Sequence, residues 1–128
     1  MRCLLPFVSI LFCGVLFAQE TAKLPADKSL PVDETGLPGE GALRRYDGYV
    51  KRWQQARTEW AKQVQQDQGA VVFLGDSITQ GWGNDFKKAF PGMKLANRGI
   101  GGDTTRGMLL RLEEDVLSLN PSAIVLLL

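Results

Sequence analysis

Residues 71–82 read Val-Val-Phe-Leu-Gly-Asp-Ser-Ile-Thr-Gln-Gly-Trp and set a single serine, Ser77, between an apolar run and a helix-like segment. A serine at the C-terminal end of a buried strand, beside the positive end of a helix, projects into the crevice where open parallel sheets bind ligands. Its natural chemistry is nucleophilic attack, which requires a base to take the hydroxyl proton. The chain contains no histidine. An isolated Gly-Asp-Ser reads first as a helix-capping turn; the flanking Val-Val-Phe-Leu and Ile-Thr-Gln-Gly-Trp make the nucleophile reading much more specific. The pattern is not the Gly-x-Ser-x-Gly elbow, because Thr79 stands where the second glycine would be. Asp76 has two readings, an acid-base group or an acceptor of backbone hydrogen bonds that hold the turn, and the second is favoured.

A second stretch, Asn97-Arg98-Gly99-Ile100-Gly101-Gly102-Asp103-Thr104-Thr105, is rich in glycine and leads into another helical pattern. Such a loop lets backbone N–H groups approach a negative oxygen closely. In acyl transfer that oxygen is the tetrahedral oxyanion; in a nucleotide-binding protein it is a phosphate. The dinucleotide pattern fails, since Thr104 occupies the third glycine position, and no Walker lysine is present. On glycine content alone an ordinary tight loop is an equal reading.

The elements that must position these two stretches follow from periodicity. Residues 42–66 predict a helix with an apolar stripe of Leu43, Tyr46, Val50, Trp53, Ala56, Trp60 and Val64, closed by Gly69. The stripe is read as the face that docks on a sheet, in preference to an aromatic ligand platform. Residues 70–74 predict the first strand and 93–97 the second. Asp103 is the expected N-cap of a helix from Thr104, with Leu109, Leu112, Val116 and Leu119 inward and Asn120-Pro121 as its stop. Residues 123–128 form a continuous apolar run, as in a central strand covered on both faces. Strand, helix, strand, helix, strand is the order of a parallel α/β sheet.

The whole chain of 128 residues has room for one domain. It divides into residues 1–18, a leader 19–41 rich in proline and charge, and a domain from 42 onward. Arg2 followed by the mostly apolar residues 4–17 reads as a secretory signal cleaved near Ala18, with an uncleaved anchor as the alternative. Secretion or a periplasmic location follows, with no stable membrane span after cleavage. Both cysteines, Cys3 and Cys13, lie in that segment, and Phe12 argues against a lipoprotein site at Cys13. A mature chain without cysteine or histidine implies no disulfide and no zinc site. The chain has 15 basic and 14 acidic residues, and loss of Arg2 with the signal makes them equal, which argues against a nucleic-acid partner.

Taken together, the Gly-Asp-Ser block and the Asn-x-Gly-Ile-Gly-Gly-Asp-Thr-Thr block, in that order, resemble the SGNH, or GDSL-type, hydrolase family. The likeness is closest to its branch related to platelet-activating-factor acetylhydrolase subunits and covers residues 70–128. It implies a three-layer α/β/α, flavodoxin-like fold and a serine ester hydrolase: an esterase, lipase or acylhydrolase acting on small-molecule, carbohydrate or lipid esters, with no cofactor or metal. Carried over residue by residue, Ser77 matches the nucleophile and its N–H the first oxyanion donor, and Gly102 matches the second donor. Asn97, Arg98 and Asp103 match positions that shape the loop, with Arg106 at the start of the next helix, and Asp76 supports the turn. The family's third donor, an Asn in a Gly-x-Asn-Asp block after the third strand, and its Asp-x-x-His block have no counterpart in these 128 residues. The expectation is therefore the N-terminal part of such a domain, cut after about the third strand and not competent alone. The alternative is a non-catalytic remnant of the fold that binds a ligand or partner.

Overall fold

A computed structural model of the chain describes residues 28–83 and 85–128. The signal-like segment 1–18 and the first part of the leader lie outside the described residues. Seven elements follow one another: α1 (Asp47–Asp67), β1 (Val71–Gly75), α2 (Ser77–Gly81), α3 (Asp85–Ala89), β2 (Leu95–Gly99), α4 (Thr105–Asp115) and β3 (Ala123–Leu127), with a 3-10 turn over Leu117–Leu119 before β3. The strands form one parallel sheet in the order β2-β1-β3. In the register, Phe73 faces Asn97 and Val125, and Gly75 faces Gly99 and Leu127. This is the mixed, parallel α/β arrangement that the periodicity predicts, with β1 in the middle and its C-terminal end beside that of β2.

Alternation along β1 sends its side chains to two different layers. Val72 and Leu74 pack with Ala70, Ala96, Met108, Val116 and Leu119 beneath α1 and α4. Phe73 points the other way, into an aromatic cluster with Trp82, Phe86 and Phe90; its ring lies edge-on to Phe86 with centroids 4.3 Å apart.

α1 begins later than the periodicity suggests, but docks through the expected stripe of Val50, Trp53, Ala56, Trp60 and Val64, to which polar residues are added. Leu43 and Tyr46 precede the helix, and Tyr46 is exposed. The buried residues are Tyr49, Trp53, Arg57 and Asp67, with Val50, Ala56, Trp60 and Val64 partly buried beside the two cores. Arg57 donates through Nε to Asp115 of α4 at 2.7 Å, and Arg98 of β2 donates through Nη2 to Asp67 at 2.7 Å. Their guanidinium groups lie over indole faces, Arg57 at 5.3 Å from Trp53 and Arg98 at 5.0 Å from Trp60. An apolar template cannot register the part of a face that docks by paired charges laid on tryptophan.

Of the stripe expected on the next helix, Leu112, Val116 and Leu119 pack on the core, whereas Leu109 is exposed and Met108, Arg111 and Asp115 of α4 also face inward. Thr104, not Asp103, caps it, accepting from the Gly107 N–H at 3.1 Å. Asp103 is unavailable as a cap because a buried cation holds it. Asn120 ends the connection in the left-handed region at φ 46°, which asparagine tolerates at the end of a helix.

Residues 28–46 contain no helix or strand, yet they lie on the domain. Leu30 joins the cluster of Tyr49, Trp53 and Ile100, and Lys28 pairs with Glu114 at 2.7 Å. β3, expected as a covered central strand, is an edge strand whose apolar residues are exposed. Among the described residues, no helix is long and apolar enough to cross a membrane.

Candidate functional site

Ser77 opens α2, one residue past the end of β1 and Asp76. The Asp76 carboxylate accepts the Ile78 N–H at 2.9 Å, so it holds the turn. The Ser77 side chain is exposed, and its hydroxyl has no partner among the described residues. α2 has only five residues and is held in place from outside. Thr79 is buried, and a Cβ on Gly75 would sit 2.1 Å from its hydroxyl oxygen. Asn97 donates from Nδ2 to the Thr79 carbonyl at 2.7 Å. A Cβ on Gly99 would lie 2.3 Å from the Gln80 backbone nitrogen. Two strand-end glycines thus let the turn that carries Ser77 rest directly on the sheet.

The glycine loop closes over the same end. A Cβ on Gly101 would be 3.7 Å from the Ser77 Cβ, an ordinary contact distance. Nearly every N–H of this loop is already engaged. Gly99 donates to Asn97 Oδ1 at 2.9 Å, Ile100 to the Gly75 carbonyl at 3.1 Å, and Gly101 to Gln80 Oε1 at 2.8 Å. Asp103 donates to the Ile100 carbonyl at 2.9 Å and Thr104 to Asp103 Oδ1 at 2.9 Å. Gly102, held at φ +87°, has an N–H with no partner among the described residues, as has Thr105 at the start of α4. The N–H of Ser77 is likewise unpaired there. The two backbone donors that the family resemblance implies are therefore among those left open.

A buried charge pair supports the loop from below. Asp103 accepts from Tyr49 Oη at 2.8 Å and from Arg111 Nε at 2.9 Å, and both members of the ion pair are fully buried. Arg111 Nη2 also reaches the Arg98 carbonyl at 2.8 Å and the Gly75 carbonyl at 3.4 Å, which links the ends of β1 and β2 to the loop. Burial pushes the Tyr49 phenol well up, and the Asp103 carboxylate adds to that rise, so Tyr49 stays a neutral donor. Burial pulls Arg111 down, against the Asp103 carboxylate that favours its charge. Arg98 and Arg106 shape the loop less directly than their positions suggest. Arg98 turns beneath the sheet to Asp67 and the Asp115 carbonyl, and Arg106 turns out to Glu34 and the Gly41 carbonyl at 2.8 Å.

Gln80, Arg52, Tyr46 and Arg111 belong to the site and escape a reading of the sequence. Arg111 alone leaves a trace, as a charge at helical spacing between Met108 and Asp115. A cleft of about 380 Å³ runs along β2 past Trp60, Gln63, Phe86 and Asn97. Neither Ser77 nor Gly102 lines it, so it belongs to the sheet edge and not to the serine. Among the described residues no group of three or more His, Cys, Asp or Glu is arranged to hold a metal. Chemically, the arrangement offers an exposed hydroxyl with its own N–H unpaired, and a second unpaired N–H at Gly102, next to the Gly101 that adjoins the serine. No family model matches the chain, and no curated protein matches it in sequence.

Proposed function

We propose that this chain carries the nucleophile half of a secreted serine ester hydrolase of the SGNH type, with Ser77 attacking an ester carbonyl and the N–H groups of Ser77 and Gly102 stabilising the oxyanion. One observation carries this reading. The glycine loop touches the Ser77 side chain at Gly101, and there the N–H groups of Gly101 and Asp103 are capped while that of Gly102 between them, like that of the exposed Ser77, is open. Preorganised donors of this kind act where charge develops, and removing one typically costs about a hundredfold or more in rate. The parallel α/β architecture and the strand-end position of Ser77 agree with the family's flavodoxin-like fold.

The reading assigns no base to these 128 residues. Histidine is absent, and the Asp76 carboxylate is engaged with Ile78. Ser77 in this chain is thus a neutral alcohol, and turnover by the chain alone is expected to be slow. The absence of histidine favours a second reading, a non-catalytic binding remnant. Incubation with an uncharged fluorophosphonate, with imidazole added as an external base, separates the two. The hydrolase reading predicts a single phosphonyl adduct on Ser77 by peptide mapping, formed faster than on other serines and absent from Ser77→Ala. Labelling spread over several serines, or undiminished in Ser77→Ala, would refute it.

A further inference from the structure

We infer that the ester is anionic: Arg44 and Arg52, with the Tyr46 hydroxyl, hold a carboxylate or phosphate on the substrate beside the oxyanion donors. This inference rests on the hydrolase reading of Ser77 and names its substrate class. Seven arginines are described, and five have carboxylate partners: Arg45 and Arg106 with Glu34, Arg57 with Asp115, Arg98 with Asp67, and Arg111 with Asp103. The two without a carboxylate among the described residues, Arg44 and Arg52, are the two that border Gly101 and Gly102.

Their geometry is specific. Arg52 donates from Nε to the Gly101 carbonyl at 3.2 Å and from Nη2 to Tyr46 Oη at 3.0 Å. These contacts fix the guanidinium plane and leave its Nη1 donors unspent. A Cβ on Gly102 would lie 2.7 Å from Tyr46 Oη and 3.7 Å from Arg44 Nη1, so both side chains stand against Gly102. Tyr46 accepts from Arg52, and its own proton is left to donate. Arg44 is exposed and Arg52 half-buried, so both face solvent from which an anion can arrive. Beneath them the Asp103 carboxylate is already neutralised by Arg111. Guanidinium forks match carboxylate and phosphate oxygens in shape as well as charge.

The test is a titration of the 15N-labelled full chain, read at the Ser77, Gly101 and Gly102 amides. The probes are monomethyl succinate, 3-acetoxypropyl phosphate and, as the uncharged control, dimethyl succinate. Two exposed charge pairs predict a preference for the anionic esters of about twofold to thirtyfold. That preference should shrink on adding salt, vanish in Arg44→Gln/Arg52→Gln and survive Arg52→Lys. The tighter of the two anionic probes names the substrate's charged group. Equal affinity of charged and uncharged esters, or a preference that survives the double Gln variant, overturns the inference. If the uncharged ester still moves Ser77 and Gly102 in that case, the hydrolase reading stands without it. If the anions bind at the arginines while no ester moves Ser77 and no fluorophosphonate adduct forms, the hydrolase reading falls and the anion site remains.

Discussion

Replacing Gly99 by alanine tests whether the strand-end glycines place the nucleophile. The new Cβ would lie 2.3 Å from the Gln80 nitrogen and 2.8 Å from both the Gln80 Cα and the Thr79 carbonyl carbon. All three atoms are backbone, so no side chain can swing away. Restoring a normal contact means moving α2, and Ser77 with it, by about 1 Å. Overpacking of this kind costs about 1–3 kcal/mol, and for a domain near 100 residues each kcal/mol lowers the midpoint by about 4–8 °C. A shift of about 1 Å in a reacting group costs on the order of a hundredfold in rate. Gly81→Ala is the matched control, because a Cβ there meets nothing within 4 Å and Gly81 sits within the same short helix. Thermal unfolding and the rate of Ser77 phosphonylation should both fall in Gly99→Ala and hold in Gly81→Ala. If the two variants behave alike in both assays, the argument that Gly99 seats the Ser77 turn is wrong.

Three further expectations follow from the same contacts. Arg111→Met leaves the Asp103 carboxylate buried without its cation, and should cost about 3–5 kcal/mol in urea unfolding. The loss should be clearly smaller in an Asp103→Asn background, and equal losses would contradict the pair. Asn97→Ala removes the donor to the Thr79 carbonyl and the acceptor for the Gly99 N–H; a destabilisation of about 1–3 kcal/mol is expected, with broadened Ser77 and Gly102 amide signals. Acid should loosen residues 28–41 ahead of the core. Hydrogen bonds from Arg45 and Arg106 hold Glu34 below its usual range. Burial raises Glu114, but its pairs with Lys28 and Arg57 outweigh that and leave it lowered. A carboxylate lowered in the folded state stabilises above its unfolded value and loses that contribution as pH falls through the folded one. Asp115, raised by burial, runs the other way. Between about pH 6 and pH 3 the Thr35 and Leu37 amides should therefore move toward unfolded shifts before those of β1; simultaneous loss would contradict this.

β1 was legible because a central strand covered by two layers reads as a plain apolar run, and the Ser77 turn because Gly-Asp-Ser follows it. Asn97 and Gly102 came only through the family resemblance of the glycine-loop block. The helix faces were legible only in their apolar part. Arg57, Asp67, Arg111 and Asp115 occupy inward positions that a hydrophobic template assigns to solvent, and they remain buried only because each meets an opposite charge from a distant segment. Such a match depends on tertiary placement. The same is true of Gln80, whose carbonyl caps Gly101 from 21 residues away, and of Arg52 and Tyr46, which reach the loop from the start of α1. β3 carries the apolar pattern of a covered strand, but its exposure depends on which neighbours the two helical layers reach.

The most direct measurement is a crystal structure of the chain carrying a phosphonate on Ser77. The account predicts that the phosphoryl oxygen lies about 2.7–3.1 Å from both the Ser77 and the Gly102 backbone nitrogens, with the Gln80 bond to Gly101 intact. A phosphoryl oxygen turned to solvent, with the Gly102 N–H unpaired, would contradict the proposed oxyanion site.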